Sequence, residues 1–156
     1  MTKAAQLATV GGFAQGPAFS AYLGTSQALS SSVWTKLTIN TEEFDTNNNF
    51  DSTTNYRFTP TVAGYYHFDC AVAALASQNS AVEAALYKNG SSFKIAYNYG
   101  TNVNMLDDWG VNFSALIYMN GTTDYVELYG LVVGSGLTIN SGQGTTWISA
   151  HLARAA

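Results

Sequence analysis

Charge, cysteine and proline are all scarce in this 156-residue chain. Lys plus Arg number 6 and Asp plus Glu 10, so 10% of residues are charged, against about 25% in ordinary soluble domains. Six scattered cations under a net charge of −4 cannot make the basic footprint of a nucleic-acid binder. Cys70 is the single cysteine and cannot form an intramolecular disulfide, and with two widely spaced histidines it does not make a zinc site. No run of about 18 apolar residues offers a membrane-spanning helix. The heptads of a coiled coil are absent. The hydrophobic share is 47%, too high, at so little net charge, for intrinsic disorder. The first residues carry one Lys and no sustained apolar run, so no export signal is expected.

Neutral polarity and aromatic rings take the place of charge: 17 Thr, 14 Ser, 13 Asn, 10 Tyr and 8 Phe, with 14 Gly. Residues 1–16 read as an arm of small residues with Phe13 its one aromatic, and residues 17–156 as one domain. Apolar side chains then alternate with period two, the strand signal. Strands are predicted over residues 19–23, 33–39, 65–75, 82–86, 93–99, 111–119, 125–133 and 145–152. Residues 41–55 read as a long polar loop with room for one short strand. Gln78-Asn79-Ser80 and the Gly-rich residues 134–144 read as turns. Asn89-Gly90 is the strongest hairpin signal, because both central residues must take positive φ; Asn120-Gly121 is read as a second hairpin turn. Aromatic and β-branched strands spaced this regularly predict an all-β sandwich or barrel.

Between residues 39 and 70 the spacing turns specific. Phe58, five residues, Gly64, one residue, Tyr66, one residue and Phe68 resemble the signature of the C1q globular head, in the C1q/TNF-like jelly-roll superfamily, with Asp45 and Phe50 at its upstream polar and aromatic positions. Ile39 and Cys70 stand where the signature has aromatics, and the interval from Phe50 to Phe58 is one residue longer. The similarity continues through residues 17–21, 82–90, 116–128 and 146–152. It implies a jelly roll of about ten antiparallel strands, with Phe50, Phe58, Gly64, Tyr66 and Phe68 as signature core, assembling as a compact homotrimer. The stretches 44–51 and 55–64 also resemble domains of bacteriophage virion proteins. A charge-poor, Tyr-rich composition independently suits a subunit that gives much of its surface to other subunits.

Candidate chemistry is sparse. His67 and Asp69 share one strand face, where a nearby serine would complete a catalytic set, but the Gly-x-Ser-x-Gly elbow is missing. Cys70 with His151 is a second candidate pair. Asp45-Thr46-Asn47-Asn48-Asn49 opens like a calcium loop, then puts Phe50 where an EF-hand needs Gly and Tyr56 where it needs Glu; a looser calcium site on Glu43, Asp45 or Asp51 stays open. Asp107 and Asp108 are adjacent and read as a solvated loop. The expectation is therefore a non-enzymatic protein without cofactor, a trimeric capsid decoration (cement) protein on a phage virion, made in the host cytoplasm, with Phe13 and Pro17 on an arm that docks on another phage structural protein. The alternative is a receptor-binding head of a tail fibre or spike that recognises host-surface glycan. A secreted C1q-like adhesion protein and a hydrolase rank below both. Neither nucleic acid nor membrane insertion is expected.

Overall fold

A computed structural model describes residues 16–75, 78–103 and 109–156. Phe13, with all of residues 1–15, and Asp107-Asp108 lie outside the described residues. Every regular element within them is a strand: β1 (Ala18–Tyr22), β2 (Gln27–Ala28), β3 (Thr35–Lys36), β4 (Thr41–Asp45), β5 (Phe50–Asp51), β6 (Arg57–Phe58), β7 (Gly64–Leu75), β8 (Gln78–Lys88), β9 (Ser91–Val103), β10 (Trp109–Met119), β11 (Val126–Ser135), β12 (Thr138–Ile139) and β13 (Trp147–Ala155). A seven-stranded sheet runs β2-β12-β7-β13-β1-β4 with β10 on the other side of β7, and a six-stranded sheet runs β5-β6-β11-β8-β9 with β3 also on β11. All the pairings are antiparallel. The two sheets form a jelly-roll sandwich.

The alternation in β7 sets the two faces of the larger sheet. Gly64, Tyr66, Phe68, Cys70, Val72 and Ala74 point into the sandwich, and Tyr65, His67, Asp69, Ala71, Ala73 and Leu75 point out. Opposite them lie Val82, Ala84 and Leu86 of β8 and Val126, Leu128 and Val132 of β11, all at most 1% exposed. The signature residues meet at one end of this core. Phe19 stacks on Phe50 at 4.7 Å and on Phe58 at 4.6 Å between ring centroids. Phe58 in turn meets Tyr66 and Phe68 edge-on at 5.4 and 5.9 Å. Burying each such ring is worth about 1.5–3 kcal/mol, and each aromatic pair adds about 0.5–1.5 kcal/mol. The Tyr66 hydroxyl donates to the Val62 carbonyl at 2.8 Å, so its polar end is satisfied inside.

The Asn89-Gly90 hairpin forms as expected, with φ of 53° and 78°. Its Asn89 amide donates to Asp124 at 2.8 Å, and its carbonyl oxygen accepts the Tyr125 N–H at 2.9 Å. Lys88 pairs with Asp124 at 2.9 Å. Burial would raise the Asp124 carboxyl, but the Asn89 amide, Lys88 and the Asn120 N–H outweigh it and hold the group below its ordinary value.

Several boundaries differ from the sequence expectation. β10 and β11 do not form a hairpin: β10 pairs β7 and β11 pairs β8, in different sheets. The Asn120 side chain causes this by accepting the N–H groups of Thr122, Thr123 and Asp124 at 2.9–3.0 Å, which winds residues 120–125 into a crossover. Of residues 33–39 only Thr35 and Lys36 join a ladder, because Gln27 replaces the neighbouring strand: its amide donates to Lys36 O at 3.0 Å and accepts Thr38 N–H at 2.9 Å. Residues 78–80, expected as a turn, begin β8, and the Gly-rich stretch holds the end of β11 and all of β12. The 41–55 loop contains β4 and β5, and the final strand is Trp147–Ala155.

Gly64 tests the packing. A Cβ there would come within 2.4 Å of the Arg154 carbonyl oxygen and 2.7 Å of Leu152 Cδ1, whereas one at Gly144 would meet nothing within 4 Å. Gly64→Ala is expected to lose about 1–3 kcal/mol of stability to overpacking, and Gly144→Ala to stay within about 0.5 kcal/mol of the parent, both read by urea denaturation.

Candidate functional site

The outward face of the larger sheet carries the residues singled out in the sequence, and register places them in rows. At one end Tyr118, Tyr65 and Arg154 lie side by side across β10, β7 and β13, followed by Leu116, His67 and His151. In the middle come Ser114, Asp69 and Ser149, and at the far end Asn112, Ala71 and Trp147. The first end is apolar and open to solvent: Tyr65, Leu116 and Tyr118 are 44%, 56% and 43% exposed, and the two tyrosine rings meet edge-on at 5.4 Å. A shallow hollow of about 240 Å³ lies there between Tyr65, Leu116, Ala153 and Arg154. At the far end Asp69, Asn112, Ser114 and Trp147 line a cleft of about 410 Å³.

His67 Nδ1 and Asp69 meet at 3.2 Å on this face, as their spacing predicted. The serines are in the wrong place for a triad. Ser114 and Ser149 flank the aspartate, while the lateral neighbours of His67 are Leu116 and His151. The histidine rings lie 5.5 Å apart. No serine hydroxyl reaches either histidine among the described residues, so the Ser-His-Asp order required for proton relay is not assembled there.

The Cys70–His151 pair does not form. Cys70 faces the core at 1% exposure, with its thiol toward Phe113 O at 3.7 Å, whereas His151 is exposed on the opposite face. Burial pushes the thiol up to about 12, so it is not a nucleophile near neutral pH.

The carboxylates of residues 43–51 hold their own loop. Asp45 accepts the N–H groups of Asn47 and Phe50, at 3.2 and 2.6 Å. Asp51 accepts those of Thr53, Thr54 and Asn55 at 2.8–3.1 Å, plus the Asn55 amide at 2.7 Å. The Thr54 and Thr53 N–H groups lead in holding the Asp51 carboxyl well below the ordinary carboxylate range. Glu43 accepts from Ser20 and Gln143. Each carboxylate is thus oriented by donors from the protein, and no group of three His, Cys, Asp or Glu converges among the described residues. Pro17 is buried at the start of β1, where its carbonyl accepts the Leu152 N–H at 3.0 Å.

Sequence reasoning missed the outward face of the smaller sheet. Its rings are ordered: Tyr87 stacks on Tyr129 at 3.8 Å, Trp34 leans on Tyr87 at 6.3 Å, and Tyr97 stacks on Tyr99 at 5.7 Å. The period-two alternation of residues 93–99 carried the signal.

Comparison with known proteins gives a fold. No protein-family model matches the sequence, and no curated protein does. Solved structures do match. Murine APRIL at pH 8.0 superposes with a TM-score of 0.65 at 6% identity over 87% of this chain and 98% of that one. The Eiger TNF of S. frugiperda gives 0.66 at 8% identity over 90% and 95%. Murine APRIL at pH 5.0 gives 0.66 at 5% identity over 88% and 98%. The chain therefore has a TNF-like jelly-roll fold.

Two measurements check these assignments. Cys70 is expected to react with an aromatic disulfide reagent only on unfolding, so that labelling tracks the unfolded fraction; rapid labelling of the native protein would contradict its burial. Because the folded Asp51 carboxyl lies below its ordinary value of 3.8, its contribution is present above that pH and is lost as pH falls below it. Asp51→Asn is expected to flatten the acid limb of stability against pH below about 4, with little slope change near neutrality.

Proposed function

We propose that this chain is a non-enzymatic structural subunit of a bacteriophage virion surface, a homotrimeric capsid decoration protein. The observation that carries the reading is the exposed apolar end of the larger sheet, where Tyr65, Leu116 and Tyr118 form one patch on a domain with only sixteen charges. Contiguous exposed apolar surface rimmed by polar residues marks a protein–protein contact. A closed three-fold ring suits a protein with a patch at one end of a sheet, because heterologous contacts join two different surfaces of each subunit. The phage assignment rests on the resemblance of residues 44–51 and 55–64 to virion domains. Those stretches build the β4–β5–β6 corner around Phe50 and Phe58.

The cleft at the far end of the same face favours the second reading, a receptor-binding head. Trp147 offers a ring, Asp69 and Asn112 offer planar polar groups and Ser114 a hydroxyl, the combination with which sugars are stacked upon and hydrogen-bonded.

Sedimentation velocity is expected to give a trimer that persists in high salt, since its contact is apolar. Leu116→Arg and Tyr118→Arg are each expected to yield folded monomers with unchanged far-UV circular dichroism. A parent that sediments as a monomer would reject the assembly. A density map of the intact particle with this protein at capsid three-fold positions would support decoration; its presence at the tail, with glycan binding abolished by Trp147→Ala, would establish the second reading instead.

A further inference from the structure

We propose that the outward face of the smaller sheet binds a basic segment of a partner protein, with a Lys or Arg side chain lying over Tyr97 and Tyr99 and bringing its charge to Glu83. Glu83 points out of the sandwich, because its neighbours Val82 and Ala84 point in, yet it is only 8% exposed. Tyr97 of β9 and Leu131 of β11 flank it in register. Among the described residues its one hydrogen-bond donor is the Tyr99 hydroxyl, 3.1 Å from Oε1. An ionised carboxylate can accept about four hydrogen bonds, and a buried charge without a counter-ion is costly.

Among the described residues there is no cation to spare for it. Of the five Lys and Arg among the described residues, Lys36 pairs with Glu127 at 3.1 Å and Lys88 with Asp124 at 2.9 Å. Arg57 lies over the Tyr125 ring at 4.4 Å and Lys94 over Phe93 at 5.5 Å. Arg154 lies on the other sheet, beside Tyr65. Glu83 is therefore a buried carboxylate that none of the described Lys and Arg side chains pairs.

The surroundings suit a long basic side chain. Tyr97 and Tyr99 are 53% and 67% exposed and nearly parallel, with ring planes 11° apart. They offer faces for the methylene stem and for cation–π attraction beside the carboxylate. β9 ends the path of its sheet, so an extended peptide has an edge to lie along. A neutral sugar would leave the carboxylate without a counter-charge, so a basic segment fits better. This site lies on the opposite sheet from the trimer patch and does not depend on it.

The test uses the full chain and fluorescein-labelled penta-arginine and penta-lysine, with penta-glutamate and a chito-oligosaccharide as comparators, all read by anisotropy. The basic peptides are expected to bind and penta-glutamate not to. Glu83→Gln is expected to weaken binding about ten-fold or more, while Glu42→Gln, which removes the same single negative charge on an exposed part of β4, leaves it unchanged. Tyr99→Ser removes the ring and reads the same loss should Glu83→Gln fail to fold. The proposal is overturned if the basic peptides do not bind at millimolar concentration, if Glu42→Gln weakens them as much as Glu83→Gln, or if only the oligosaccharide binds.

Discussion

The stack of Phe19 between Phe50 and Phe58 is the constraint on which the rest of the sandwich depends. β1 and β7 belong to one sheet, β5 and β6 to the other. β5 and β6 have two residues each, too few for their ladders alone to fix them. The rings do that work: they bring both short strands against Tyr66 and Phe68 of β7, and the Tyr66 hydroxyl then fastens the loop at Val62. Asp45 and Asp51 cap the same stretch through backbone N–H groups. Apolar stacking inside and carboxylate caps outside therefore secure one corner, and the two broad faces extend from it.

Much of this was legible because strand parity is a local property. Alternation in residues 65–75 assigned Tyr66 and Phe68 to the core and His67 and Asp69 to the surface, and Asn89-Gly90 specified its turn through positive φ. The failures share a different cause. Whether Asn120-Gly121 closes a hairpin depends on three N–H groups converging on one amide oxygen, and no dipeptide signal encodes that. Residues 33–39 alternate like a strand, but the side chain of Gln27 occupies the hydrogen bonds a neighbour would make. Cys70 and His151 seemed able to meet only until register put them on opposite faces. Glu83 could be read as outward from its neighbours; its burial could not, since Tyr97 and Leu131 arrive from two other strands.

The scarcity of charge takes on a spatial meaning in the fold. Lys36–Glu127 and Lys88–Asp124 spend two of the cations inside the smaller sheet and its loops, and two more rest on aromatic rings. Beside Asp69, Arg154, Glu83 and the two histidines, what is left to the outward faces is rings, hydroxyls and amides.

The position of β13 has a consequence in time. It lies between β1 and β7 and pairs with both, so these two strands are not joined in one sheet until residues 147–155 have been made. A ribosome releasing this chain residue by residue would leave that side of β7 without β13 from the completion of β7 at Leu75 until Trp147. Such non-local closure is slow and leaves strand edges open to neighbouring chains, which makes the final strand the clasp of the domain and its arrival the step that commits the sheet.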